Sequence, residues 1–292
     1  MHLLDYFQNS PNTFYIMMAI LGLIVGSFLN VVIYRLPKML ERDWQQQCRT
    51  LLALDSPGPA PTEVLSLITP RSRCPQCGHK ITAVENIPVA SYLILGGKCS
   101  ACHHPIAIRY PVIELTSSIL AMFCAWHFGF TYQAFLALSL AWALLTLSVI
   151  DIDLQLLPDD ITLPFLWLGI LINIYGVFTD INSSLIGAMA GYGVLWTVYK
   201  GFKLITGKEG MGYGDFKLLA MLGAWLGWQM LPLIILLSSL TGAIIGIGLI
   251  MSKFHDKNKP IPFGPYLALA GWIALVWGHD INFLYFRWST GF

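Results

Sequence analysis

Charge is what this sequence has least of. Asp, Glu, Lys and Arg make up 11% of its 292 residues, against about 25% in an ordinary soluble domain, while 56% of the chain is hydrophobic. So few charges cannot cover a water-soluble core built from so many apolar side chains, which excludes a single soluble globule and points to an integral membrane protein. The formal net charge is only +1, and no acidic or basic tail is present. No basic face is therefore available to neutralise phosphates, and nucleic acid is excluded as a partner. Cysteine is scarce too: Cys48, Cys74, Cys77, Cys99, Cys102 and Cys124 are too few and too unevenly spaced for a secreted disulfide scaffold. Residues 1–13 contain no Lys or Arg, whereas a cleavable signal peptide opens on basic residues, so the first apolar span is expected to be retained.

What the sequence does have is long uncharged runs. Phe14 to Tyr34 contains no charged residue and matches the ~20 residues that a bilayer core requires. Further apolar runs cover roughly 112–130, 132–150, 161–179, 184–204, 216–229, 231–251 and 264–281. The expected fold is an all-α polytopic membrane protein of about eight transmembrane helices. Residues 35–111 hold 9 of the 17 Lys and Arg, together with a stretch at Asp55-Ser-Pro-Gly-Pro-Ala-Pro that cannot hold regular structure. They read as a small polar domain in water between helices 1 and 2. The division is thus 1–34 for the first span, 35–111 for the polar domain and 112–292 for a seven-helix membrane domain. Lys200, Lys203 and Lys208, and then Lys253, Lys257 and Lys259, fall in loops on the same side as residues 35–111. The opposite loops near Thr131, Asp180 and Met230 contain no Lys or Arg, so the polar domain is expected in the cytoplasm.

Four cysteines form two knuckles, Cys74-Pro-Gln-Cys77 and Cys99-Ser-Ala-Cys102, separated by 21 residues. That spacing resembles a zinc ribbon, and four thiolates suit a closed tetrahedral Zn²⁺ shell that is structural, because catalysis needs an open position. Reducing conditions in the cytoplasm disfavour two disulfides there. A redox CxxC, or substitution of a ligand by His79, His103 or His104, is the lesser reading. Cys48 and Cys124 read as passive side chains.

Among the acidic residues, Asp151, Asp153, Asp159 and Asp160 flank the loop between the third and fourth spans, and Asp215 follows Gly212-Tyr213-Gly214 just before the sixth. All lie at the expected cytoplasmic edge, where a carboxylate avoids the cost of lipid. Asp153 and Asp160 read as solvated loop charges. Gly207, Gly210, Gly212 and Gly214 give the segment before Asp215 an open backbone that an extended peptide can approach. Two Asp side chains that meet can hydrolyse a peptide bond without a metal, sharing one proton because like charges at close range do not both ionise. Spacing alone does not show that residues 64 apart in sequence touch.

The motifs, in order, are GSFLNVVIYRLP, RCPQCG, ENIPVASYLILGGKCSAC, PIAIRYPVIE, the D-x6-P-D segment from Asp151, and GMGYGDFK. Over nearly its whole length the chain resembles the type IV prepilin peptidases, bifunctional enzymes within the GxGD membrane aspartic proteases. The resemblance implies Asp151 and Asp215 as the catalytic pair, with Asp153 and Asp159 as neighbours. It implies type IV prepilins and type II secretion pseudopilins as substrates, cut on the cytoplasmic side of the bacterial inner membrane. It also implies methylation of the new N-terminal residue, usually Phe, with S-adenosylmethionine. Gly97 and Lys98 match a segment implicated in methyl transfer; no glycine-rich nucleotide fingerprint follows a predicted strand, so the methyl donor rests on the resemblance. Residues 41–69 match nothing recognisable and read as a variable insertion. Lys217 lies two positions from Asp215 and is expected to point elsewhere on a helix.

Three other readings compete. A GxGD protease acting on other membrane segments is the nearest. A metal-dependent glycosyltransferase would use Asp151-Ile152-Asp153 as a DxD pair. A transporter with a zinc-stabilised domain would need acidic residues along a path, yet Glu114 stands near the start of its span and none lies mid-span.

Overall fold

The computed structural model describes residues 10–52, 65–251 and 261–290, and every regular element among them is helical. Lys253, Lys257, Lys259 and the Asp55–Pro61 stretch lie outside the described residues. Five helices are long and apolar enough to cross a membrane: Pro11–Leu51, Arg109–Phe128, Tyr132–Leu154, Trp228–Gly248 and Gly264–Tyr285. The chain is accordingly a multi-pass membrane protein. It divides into two compact units, Met1–Leu138 and Ser139–Phe292.

In the first unit, α1 (Pro11–Leu51) starts with proline in its first turn, where the missing N–H is no loss. The charge-free run predicts a span ending at Tyr34. The helix instead continues to Leu51, carrying Pro37 inside it, so the beginning of the polar region is helical. A short helix, α2 (Ala90–Ile94), follows the first cysteine knuckle, and α3 (Arg109–Phe128) packs against α1. Gly22 and Gly26, one turn apart, permit that pairing. A Cβ on Gly22 would lie 2.6 Å from Ser118 Cα, and one on Gly26 would lie 2.7 Å from Glu114 Cα. Ser117 Oγ donates to Gly22 O at 2.6 Å and Ser118 Oγ to Ala19 O at 2.9 Å, so small residues bring the backbones close and hydroxyls join them.

Helix α4 (Tyr132–Leu154) runs through the boundary between the units, and the second unit adds α5 (Asp159–Asn173), α6 (Ile181–Thr206) and α7 (Tyr213–Leu226). A 3₁₀ turn (Trp228–Met230), α8 (Leu231–Met251) and α9 (Gly264–Thr290) complete it. Each of the eight apolar runs holds a helix, but α5 and α7 have only 15 and 14 residues. At 1.5 Å per residue α7 is about 21 Å long, less than a ~30 Å hydrocarbon core.

Its surroundings explain how so short a helix is held. Leu218 to Leu226 are buried without interruption. Gly187 on α6 and Gly223 on α7 meet backbone to backbone, so neither position accepts a side chain. Asn173 Nδ2 donates to the carbonyls of Ala224 and Trp225, both at 2.9 Å, and Ser184 Oγ donates to Ala224 O at 2.6 Å. Trp225 Nε1 donates to Phe165 O at 2.7 Å, with its ring seated on Gly169. The Asn173 and Ser184 bonds satisfy carbonyls at the end of α7 that have no partner within the helix, and the Trp225 bond ties α7 to α5. They fix its axis, and with it the direction of Asp215 at the other end.

Candidate active site

Asp151 lies near the end of α4, which stops when Gln155 adopts φ +54°. Asp215 lies in the first turn of α7, after Gly212 in an extended conformation. Both are buried, at 5% and 8% exposure. Leu157 joins the two sides. A Cβ on Gly214 would lie 2.8 Å from Leu157 Cβ, and a Cβ on Gly264 would lie 3.2 Å from Leu157 Cδ2 and 2.7 Å from Asp151 Oδ2. The N–H of Gly264 donates to Asp151 Oδ2 at 3.0 Å. Thus Leu157 and Gly264 link the segments that carry the two sequence-distant carboxyls, with glycine at both contacts.

The other acidic residues have different surroundings. Asp153 is exposed, whereas Asp151 two positions earlier on the same helix is buried, a separation of about 200° around the axis that suits no DxD metal pair. Asp159 and Asp160 are exposed in the first turn of α5. Both oxygens of Asp159 accept from Lys217 Nζ at 2.7 Å, so the lysine two residues after Asp215 is turned to a different carboxylate. Sequence reasoning missed Gly264 and Leu157. The available signal was a glycine held between Pro262-Phe263 and Pro265 at the start of the last apolar run.

In the first unit, Cys74, Cys77, Cys99 and Cys102 bring their sulfurs within 4.8 Å of one another, and no disulfide links them. Cys74 Sγ and Cys102 Sγ are 3.8 Å apart. A tetrahedral ion with Zn–S bonds of about 2.3 Å separates its sulfurs by roughly 3.8 Å, so the cluster fits zinc with no open position. The two knuckles repeat one backbone design. The N–H of Cys74 donates to His79 O and that of Cys99 to His104 O, each at 2.9 Å; Gly78 N–H donates to Cys74 O and His103 N–H to Cys99 O, each at 3.0 Å. Gly78 and His103 both have positive φ. Backbone N–H groups of Cys77 and Gln76 hold the Cys74 thiol down at about 7, and those of Cys102 and Ala101 lower Cys99, while burial and the neighbouring sulfurs push Cys102 up to about 12.

His79, His103 and His104 are outside this cluster. His79 Nε2 faces Glu85, at 3.2 Å from Oε1, and Glu85 also accepts from Ser100 and from both the N–H and hydroxyl of Thr82. Glu85 therefore ties residues following the first knuckle to a residue within the second. Gly97 has φ +69°, its N–H donates to Tyr92 O at 2.8 Å, and a Cβ there would lie 3.0 Å from the Tyr92 ring. The position requires glycine for conformation and for space. Lys98 is exposed and bridges to Pro105. Glu114, buried on α3, accepts from the N–H of Val89 at 2.8 Å, and its Cα lies against Gly26 of α1.

The model of a family described as the bacterial peptidase A24 N-terminal domain matches residues 20–128, and that of the type IV leader peptidase family matches residues 138–247. A prepilin leader peptidase/N-methyltransferase from Pseudomonas aeruginosa is 55% identical over 290 residues, covering 99% of each chain. The protein of that name from Stutzerimonas stutzeri is 54% identical over 285 residues, 98% of each chain. Another from Legionella pneumophila is 42% identical over 284 residues, 97% of each. No solved structure matches the chain.

Proposed function

This chain belongs to the type IV leader peptidase family, and from that premise we propose that Asp151 and Asp215 form the aspartic dyad that removes the leader of a prepilin. It is an enzyme with two activities, prepilin leader cleavage and N-methylation. The observation that carries the dyad assignment is the burial of the two carboxyls on segments linked by Leu157 and Gly264.

The chemistry follows from two carboxyls sharing a proton. The ionised one takes a proton from water as the water oxygen attacks the scissile carbonyl carbon, and the protonated one gives its proton to the carbonyl oxygen. Collapse of the tetrahedral species breaks the C–N bond, and a proton passes to the leaving amine. The Gly264 N–H fixes the direction of one carboxyl, so that less reorientation is needed during reaction. The pairing of Lys217 with Asp159 turns its ammonium away from this exchange.

The eight apolar runs are read as eight membrane spans, the short α5 and α7 being sheltered within the bundle. The loop charges support a cytoplasmic orientation of residues 35–111 and the dyad, and the family likeness supports the bacterial inner membrane as their location. A prepilin keeps its basic leader in the cytoplasm and its apolar segment in lipid, so its scissile bond arrives at that interface. Pseudopilins of type II secretion present the same chemistry. The division into residues 1–34, 35–111 and 112–292 is kept as a functional one.

Zinc, held by Cys74, Cys77, Cys99 and Cys102, supplies structure to the polar domain, joining the two knuckles alongside the Glu85 hydrogen bonds. S-adenosylmethionine supplies the methyl group. Gly97 and Lys98 are assigned to the segment that contacts it, with Gly97 setting the turn that feeds the second knuckle. The test is incubation of purified protein with a prepilin, with and without S-adenosylmethionine, and mass analysis of the product N-terminus. Leader loss in both conditions, with methyl gain only in the second, is expected; an uncut substrate overturns the assignment.

A further inference from the structure

Between Glu85 and Lys98 lie twelve residues without a charge, Asn86 to Gly97, in the middle of the domain otherwise richest in Lys and Arg. The length is too short to span a bilayer and fits a segment that enters one face and leaves by the same face. The structure shows where this segment attaches. Val89 donates its N–H to Glu114, whose Cα packs against Gly26 of α1. Gly26 precedes Tyr34, the end of the uncharged run of α1, by eight residues, about 12 Å along the helix axis. Glu114 lies five residues into α3, about 7.5 Å from its start. Val89 is therefore held below the ends of both membrane-crossing helices. At the far end of the segment, Ile106 N–H donates to Gly97 O at 2.7 Å, two residues before Ile108.

The side chains suit lipid. Leu93 and Ile94 are 71% and 83% exposed, and Ile87 is about half exposed. On α3 the exposed residues Val112, Leu115, Ile119, Met122 and Trp126 recur every three or four positions, as a lipid-facing stripe does, and Ile108, 70% exposed, extends that stripe at its cytoplasmic end. Tied to Ile106 through Gly97, the segment brings exposed apolar side chains to the chain just before that stripe begins. Its backbone suits lipid as well: Ile87 donates to Val84, Ser91 to Ile87, Leu93 to Val89, Leu95 to Ser91, Gly96 to Leu93 and Gly97 to Tyr92. A self-satisfied backbone can leave water at little cost.

We propose that Ile87 to Ile94 form a re-entrant segment inserted in the cytoplasmic leaflet, with Leu93 and Ile94 among the acyl chains and Glu114 as the latch that holds it there. The zinc-binding knuckles are then kept against the membrane surface. The proposal rests on α1 and α3 crossing the membrane.

The experiment places a photoreactive benzoylphenylalanine at Leu93 or Ile94 in the full-length protein, reconstituted in vesicles of phosphatidylethanolamine and phosphatidylglycerol, and reads adducts by mass spectrometry. Gln76 and Ala101, exposed in the knuckles, are the aqueous controls, and Ile119, in the α3 stripe, is the lipid control. Retained prepilin cleavage reports folding. Lipid adducts at 93 and 94 comparable with those at 119, and several-fold above those at 76 and 101, are expected; in the Glu114→Ala background those at 93 and 94 fall several-fold while 119 is unchanged. Yields at 93 and 94 no higher than at 76 and 101 overturn the proposal, as does their replacement by prepilin adducts when substrate is added. Absence of adducts at 119 overturns the spanning role of α3 instead.

Discussion

The N–H of Gly264 donates to Oδ2 of Asp151 at 3.0 Å, joining two residues 113 positions apart. This bond comes from the first residue of α9, and a Cβ there would sit 2.7 Å from the same carboxylate oxygen. Gly264→Ala is expected to turn the carboxyl from its position. Because a displacement of about 1 Å costs on the order of 100-fold in rate, cleavage should fall by about that factor in kcat with KM little changed. Time courses of leader loss at varied prepilin concentration check this, and methylation of a pre-cut substrate should survive. A rise in KM alone would show that Gly264 serves binding.

Asp151→Ala and Asp215→Ala should each abolish leader cleavage, because neither remaining carboxyl can both activate water and donate to the carbonyl. Asp153→Ala should leave most activity, its side chain being exposed on the opposite side of α4 from Asp151. The same mass assay separates these outcomes, and full activity in the Asp151 variant would refute the dyad.

Much of this site was legible beforehand, for definite physical reasons. Charge-free runs are forced by the bilayer, so each expected span contains a helix. Paired cysteines at ribbon spacing have few other uses, and the sulfurs do converge. The extension of α1 to Leu51 was not legible, because a helix leaving the membrane exchanges an apolar signal for a polar pattern that resembles a loop. Nor was Gly264. Its contribution is a backbone N–H, which every residue but proline carries, so no side-chain chemistry marks it; only the flanking prolines hinted that the chain is constrained there.

Replacing Cys74 or Cys99 by Ser should remove the bound metal, since each contributes one of four sulfurs, and both are the buried members of their knuckles. Zinc content should drop towards zero and residues 70–105 should become protease-sensitive. Methylation should suffer more than cleavage, because the dyad lies in the other compact unit. Unchanged zinc by elemental analysis would refute the ligand set.

Close helix pairing gives a prediction about stability. Gly187 and Gly223 leave no room for a side chain between α6 and α7, so Gly223→Val should force the helices apart. Overpacking of this kind costs about 1–3 kcal/mol or more, seen as a lower melting temperature in detergent. Activity should fall too, because α7 carries Asp215. Gly193, where a Cβ meets nothing, is the control: Gly193→Ala should leave both stability and cleavage near wild type.

Glu85 supplies a prediction with a pH sign. Hydrogen bonds from Ser100 first, then Thr82, hold its carboxyl at about 2, below the ordinary 4.5. A group whose pKa is lower when folded stabilises the fold in its ionised form, so its contribution is complete above about 4.5 and is lost as pH falls through about 2. At neutral pH the cross-link between His79 and Ser100 is therefore intact, and Glu85→Gln should weaken it without removing a zinc ligand. The expected result is faster amide exchange at Thr82, whose N–H donates to Glu85, with zinc content unchanged. Because the bonds that hold the carboxyl ionised also hold the knuckles together, the difference between the two proteins should narrow on acidification; a difference that grows instead would show that the neutral side chain, not the charge, secures the contact.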